Sequence, residues 1–201
     1  MSKIIAIMLL LCFGMMLFSC TNDNGGRKAG WQKTIIVTDS VGRKVELPYP
    51  LERVAVCNVY NAELITAVGA IDKIVGVDNY IFKDQSGFKN RFNEAQVFGI
   101  SQNAMNYEKL AELAPQAVII TGEGTWRDAQ EMLDRFGIKV IVINSYYTDQ
   151  FADNCRLIGR IFGREEQAEE LVNYFNDKLA YMLFRSYTKA TSRRPPQKFV
   201  F

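Results

Sequence analysis

The sequence predicts an α/β fold: a mostly parallel sheet with helices on both faces, followed by one long connecting helix. Three observations carry the prediction. Four short apolar runs, at 53–57, 74–77, 117–120 and 139–143, alternate with stretches of helical period, which is the pattern of βα units whose strands are buried on both sides. After the last unit one apolar face persists from Ala168 to Leu183. The composition is globular, with 48% apolar and 23% charged residues in 201, enough for one domain or a domain and a fragment of a second.

Thr34–Thr38 and Lys44–Leu47 flank Asp39-Ser40-Val41-Gly42 and read as a β-hairpin that Pro48 and Pro50 end. Arg53–Cys57 is a short buried strand. Asn61 to Val68 has helical spacing, with Leu64, Ile65 and Val68 on one face and Gly69 at its end. Ile74–Val77 is the next strand, and residues 78–100 read as irregular. Asn106 is placed to cap a helix from Tyr107 to Ala114, with Leu110 and Leu113 inward and Pro115 as its stop. After the strand Ala117–Ile120, Thr125 is placed to cap a helix whose Ala129, Met132, Leu133 and Phe136 share a face. Lys139–Ile143 follows, then a helix with Phe151, Cys155, Ile158, Ile161 and Phe162 on one side, closed by Gly163. Residues 164–190 then form a single helix of about 40 Å at 1.5 Å per residue, with Glu165 and Glu166 in its first turn, where the dipole favours acids. Ser192-Arg193-Arg194-Pro195-Pro196 breaks it. Residues 197–201 begin a strand with nothing to pair it, which predicts that the polypeptide is incomplete.

The N-terminus is not part of this pattern. Lys3 is followed by an uncharged apolar run from Ile4 to Phe18, the n-region and h-region of a secretory signal and shorter than the roughly 20 residues a spanning helix needs. The run closes on Leu17-Phe18-Ser19-Cys20, which resembles a bacterial lipobox; an ordinary signal peptide with a chance cysteine is the alternative. On the lipobox reading residues 1–19 are a signal peptide, Cys20 carries lipid, and 20–32 are a polar tether. Cys57 and Cys155 then remain for the folded body. A disulfide between them is open in an exported protein, but both sit on apolar faces, so two buried thiols are expected.

Several function classes are excluded or disfavoured. Net charge is only +2 and basic residues are scattered, which argues against a nucleic-acid binder, since that would need a concentrated basic face. Histidine is absent, which removes every histidine base and histidine metal ligand, and with them the usual zinc or manganese receptor. Gly122-Glu123-Gly124 lacks the glycine spacing and the lysine of a phosphate loop, and no carboxylate pair stands out. No enzyme, cofactor or bound metal is expected. A surface interaction lipoprotein without a small ligand is the alternative to a receptor.

Three stretches carry a family resemblance. Residues 53–77, with Glu52-Arg53 before the strand, Glu63-Leu64 opening the helix and Val75-Gly76-Val77 closing the next strand, are the first. Asn106-Tyr-Glu-Lys-Leu-Ala-Glu-Leu-Ala-Pro115-Gln-Ala-Val-Ile-Ile120 is the second, and Phe136-Gly-Ile-Lys-Val-Ile-Val142 the third. In this order and spacing they resemble the iron-siderophore and cobalamin substrate-binding proteins of ABC importers, over residues 33–201. Leu51 stands where that family usually has Pro, and Gln116 where it has Asp. The resemblance implies two α/β lobes joined by one long rigid helix, with ligand between them. Residues 33–163 would be the N-terminal lobe, 164–190 the connector and 191–201 the start of a second lobe. It implies an exported, lipid-anchored protein facing the periplasm or cell exterior, which captures a ferric siderophore, haem or cobalamin and delivers it to a membrane permease.

Open parallel sheets bind ligands beyond the carboxyl ends of their strands. Those ends carry Tyr60, Asn79 and Tyr80, Trp126 and Arg127, and Tyr146. Aromatic rims suit large, half-apolar ligands, and Arg127 suits an anionic chelate. Any of these aromatics could equally pack a loop or a missing lobe. The resemblance assigns Glu108 to permease docking; an ordinary acid in a first helical turn is the alternative. With one lobe, half the contact surface is absent, so a micromolar complex of about −8 kcal/mol would weaken toward millimolar.

Overall fold

The structure is a computed structural model that describes residues 33–192. The predicted signal, the lipid site at Cys20, the tether and the closing strand at 197–201 lie outside the described residues.

The chain opens with the hairpin β1 (Thr34–Thr38) and β2 (Lys44–Pro48), antiparallel with Val37 opposite Val45. Then come β3 (Val54–Val56), α1 (Val59–Ala67), β4 (Ile74–Val77), α2 (Asn79–Lys83), α3 (Tyr107–Leu113), β5 (Ala117–Ile120), α4 (Trp126–Asp134), β6 (Lys139–Val142), α5 (Phe151–Phe162) and α6 (Glu165–Ser192). The second sheet has the order β4-β3-β5-β6 and every pairing in it is parallel. The crossover from β3 to β4 runs one way and the next two run the other. Right-handed crossovers therefore place α1 on one face and α3 and α4 on the opposite face.

The side chains follow that division. Val54, Val56, Ile119, Ile141 and Ile143 pack with α1, α5, the near half of α6 and the hairpin. Ala55, Cys57, Val118, Ile120, Val140 and Val142 pack with Leu110, Trp126, Ala129 and Leu133 of α3 and α4. This period-2 split, apolar both ways, is what a doubly covered parallel sheet demands. The two cysteines fall on opposite sides of the sheet. Both are free and buried, as expected.

Gln116 turns out to be a stitch. Its Oε1 accepts the backbone N–H groups of Glu52 at 2.7 Å and Arg53 at 3.0 Å, tying the approach to β3 to the approach to β5.

Several elements differ from the sequence reading. α1 begins at Val59, two residues early, because Asn58 caps it: the Asn58 side chain accepts from the Tyr60 N–H. The segment 78–100 is not wholly irregular, since it holds α2, capped by Asp78, and a 3-10 turn at Glu94–Gln96. Thr125 sits at the start of α4 but makes no capping bond. α4 ends at Asp134, so Phe136 lies past it and is 48% exposed rather than inward. The long helix spans 28 residues, about 42 Å at 1.5 Å per residue. Among the described residues no helix is long and apolar enough to cross a membrane.

Candidate functional site

All four parallel strands end on a polar residue: Asn58 just past β3, Asp78 past β4, Thr121 past β5 and Asn144 past β6. The reversal of strand order lies between β3 and β5, which is where an open α/β sheet forms a crevice at its carboxyl edge.

Asn58 and Asp78 are bonded to each other, and neighbouring side chains tie Asn144 and the remaining loops together. Asp78 accepts the Asn58 N–H at 3.0 Å and the Ile81 N–H at 2.9 Å. Burial raises its carboxyl above the usual range, and the N–H groups of Ile81, Asn58 and Tyr80 oppose the rise. Asn58 has φ 76°, a positive value that is uncommon for a residue other than glycine. Asn61, fully buried, donates to the Cys57 carbonyl at 3.2 Å and accepts from Ser145 Oγ at 2.6 Å, which joins the β3 loop to the β6 loop. Asn144 accepts the Gly122 N–H at 2.7 Å, while its own carbonyl accepts from Asn154 Nδ2 at 3.0 Å. Ser40, in the hairpin turn, donates to Asn154 and accepts the Asn144 N–H, both at 3.2 Å. No buried side-chain polar atom among the described residues lacks a partner. A fully satisfied network of this kind is rigid, because each break would strand a buried polar group.

Aromatics stand on this floor. Tyr60 is 55% exposed and Tyr80 63% exposed. Tyr146 is half-buried, donates to Glu123 at 3.0 Å, and lies 4.3 Å from the ring of exposed Tyr147. Burial first, then Tyr147 and Glu123, raise the Tyr146 phenol, so it stays a hydrogen-bond donor. Asn79 is half-buried at the start of α2. Beside Tyr60 a groove of about 220 Å³ runs between Glu63, Leu64, Ser145, Phe151 and Leu171. Small-ligand pockets usually hold about 300–1,000 Å³, so the groove alone is a partial site.

The sequence reading put Tyr60, Asn79, Tyr80, Arg127 and Tyr146 at one edge, and in the structure each stands shortly after the carboxyl end of β3, β4, β5 or β6. Trp126 differs: the residue is only 9% exposed, part of the core, with the guanidiniums of Arg43 and Arg127 over its ring. Two contributors to the edge escaped the sequence. The hairpin turn reaches it through Ser40 and Val41. The loop 99–105 reaches it through Gln102, whose Oε1 accepts the Thr121 N–H at 2.9 Å and the Thr121 hydroxyl at 2.8 Å, while its Nε2 donates to the Glu123 carbonyl. The legible signal was the Asn, Asp or Thr that follows each apolar run. Glu108 is exposed in the first turn of α3. Among the described residues no three His, Cys, Asp or Glu side chains cluster as a metal site would require.

Comparison with solved structures finds the same fold. A periplasmic solute binding protein from Veillonella parvula superposes with a TM-score of 0.64 at 26% identity, covering 82% of this chain and 50% of its own. SirA of Staphylococcus aureus, complexed with staphyloferrin B, gives 0.66 at 20% identity, covering 81% of this chain and 53% of its own. A periplasmic heme binding protein from Pseudomonas aeruginosa gives 0.61 at 19% identity, covering 73% and 50%. The chain thus spans about half the length of these structures. The search of curated proteins returns no match to the chain. The family model for periplasmic binding proteins matches residues 54–182, from the first core strand into the long helix, and the chain belongs to that family.

Proposed function

We propose that the chain is the substrate-binding component of an ABC importer, and that its carboxyl edge is one wall of a site for an iron chelate, either siderophore or haem, or for cobalamin. The observation that carries the reading is the set of tyrosines held on a rigid polar floor at the strand-order reversal. Tyr60 and Tyr80 expose more than half their surface there, although burying aromatic area is favourable. Aromatic surface kept open beside a partial groove suits a large ligand with flat or half-apolar faces. Structures that share the fold come from proteins named as siderophore-complexed and haem-binding, which supports the same class. Membership of a binding-protein family favours capture over catalysis.

On this reading Tyr60, Asn79, Tyr80, Arg127 and Tyr146 face the ligand, Glu108 docks on the permease, and Cys20 carries the lipid that holds the exported protein at the membrane. The test is titration with hemin, hydroxocobalamin and a panel of ferric siderophores up to millimolar concentration, followed by fluorescence quenching and ligand absorbance. Saturable binding of at least one, weakened about tenfold or more by Tyr60→Ser with Tyr80→Ser, is expected. Binding of none would leave the surface-interaction reading. Uptake that is normal in a Glu108→Lys protein would remove the docking role, and unchanged palmitate labelling of Cys20→Ala would remove the anchor.

A further inference from the structure

Trp126 opens α4 with its ring almost wholly covered. The guanidinium carbons of Arg43 and Arg127 lie 4.3 Å and 4.1 Å from its ring centre. The two arginines differ in what else they hold. Arg43 is fully engaged: Nε and Nη2 donate to Asp39 Oδ2 at 3.0 Å and 2.7 Å, Nη2 to the Val140 carbonyl at 3.2 Å, and Nη1 to Gln130. Asp39 in turn is fixed by the N–H groups of Val41, Arg43 and Val142. Arg127 is exposed, and among the described residues it forms no ion pair and no side-chain hydrogen bond, so its one specific contact is the indole.

A guanidinium stacked on a ring uses its face and keeps its N–H donors, which lie in its plane, free. Arg127 is thereby oriented without a donor being consumed. Its place is the start of α4, directly after the loop that Gln102 and Asn144 clamp. We infer that Trp126 is a positioning residue: braced by Arg43 and the hairpin, it holds Arg127 at the carboxyl edge as the cation that receives a carboxylate of the bound ligand. This rests on the ligand-binding reading above and adds to it a ligand chemistry and a role for Trp126 other than contact.

The test compares carboxylate-bearing ligands with matched ligands that lack the group. Hemin and ferric citrate carry carboxylates; hemin dimethyl ester and hydroxocobalamin do not. Arg127→Ala should weaken hemin or ferric citrate about tenfold and leave the ester and the corrinoid unchanged. Which of the two carboxylate ligands responds identifies the source of the group. Trp126→Leu should reproduce the loss, Trp126→Phe should restore most of it, and Trp126→Leu should add nothing in an Arg127→Ala background. If Trp126→Leu does not fold, Trp126→Phe and Arg127→Lys carry the comparison, with the lysine variant showing most of the alanine loss. Equal losses for hemin and its ester, or a Trp126 effect that persists without Arg127, would make Trp126 merely structural and overturn the inference. So would binding of hydroxocobalamin alone, which leaves the ligand-binding reading standing. Binding of none of the four would end this inference, and binding of none of the wider siderophore panel either would end both.

Discussion

From Ala168 to Phe175, α6 buries its apolar face: Ala168 and Val172 are 0% and 1% exposed, and the Phe175 ring stacks on Phe151 at 4.1 Å. From Leu179 onward the same period continues in the open, with Met182, Leu183 and Phe184 exposed by 56%, 63% and 68%. One helix thus carries one stripe through two environments. The period of a sequence says which face needs a cover, and only the fold says whether this chain supplies it. An exposed stripe of this size marks a contact surface in soluble proteins. On the two-lobe reading the far half is where a second lobe would rest.

The same charge placed in each half of α6 should separate the two most strongly. Val172→Asp buries an unpaired carboxylate and should cost more than about 3 kcal/mol in urea unfolding, whereas Leu183→Asp should change stability by no more than about 0.5 kcal/mol. Equal effects would mean that the far half is covered after all.

A second change tests the joint between α5 and the near half of α6. In an ordinary helix interior, Gly→Ala stabilises by about 1 kcal/mol. At Gly159 an added Cβ would lie 2.5 Å from Ala168 Cβ and 2.9 Å from the Arg164 carbonyl oxygen. Both are fixed parts of the backbone or its first carbon and have no rotamer to yield. Gly159→Ala should therefore destabilise by about 1–3 kcal/mol, reversing the usual sign.

The smallest expected effect is the pH dependence of the same packed region. Burial pushes the Cys155 thiol from 9.0 up to about 12, with Arg156 opposing and Glu169 adding; on the other face of the sheet burial, then Asp78, raises Cys57 as well. A thiol whose folded value lies above its unfolded one contributes stability that is whole below about 9 and is lost as pH rises toward about 12. Denaturation midpoints should fall between pH 9 and 10.5, by about 1 kcal/mol at pH 10 for a thiol held in this way. Cys155→Ala should make that fall shallower, with Cys57 keeping its own share.

Much of this was legible in the sequence because a doubly covered strand is a short apolar run and nothing else. The hairpin, the four strands of the parallel sheet, the Asn106 cap and the Gly163 stop fall where composition put them. What was illegible depends on distant contacts. Phe136 keeps the helical period of α4, but the helix ends two residues before it, so the period overstates the buried face. Trp126 reads as a rim aromatic until Arg43, from a hairpin more than eighty residues earlier, is found lying on it. Gln102 lies in a stretch with no period at all, and its role follows only from Thr121 and Glu123 across the gap. Asn58, Asp78, Thr121 and Asn144 were visible as residues, yet their partners, Asp78 for Asn58, Gln102 for Thr121 and Gly122 for Asn144, needed the fold.

On the proposed function, ligand is met at the carboxyl edge of the sheet and not at its amino edge. Amide hydrogen exchange, measured with and without saturating hemin, hydroxocobalamin or a ferric siderophore, compares the two edges in one experiment. The account predicts ligand-dependent protection in 58–60, 78–82, 121–127 and 144–147, with no change in 51–53, 71–73, 114–116 and 136–139. Protection confined to the amino-edge segments, with the carboxyl-edge segments unchanged by a ligand that binds, would contradict it.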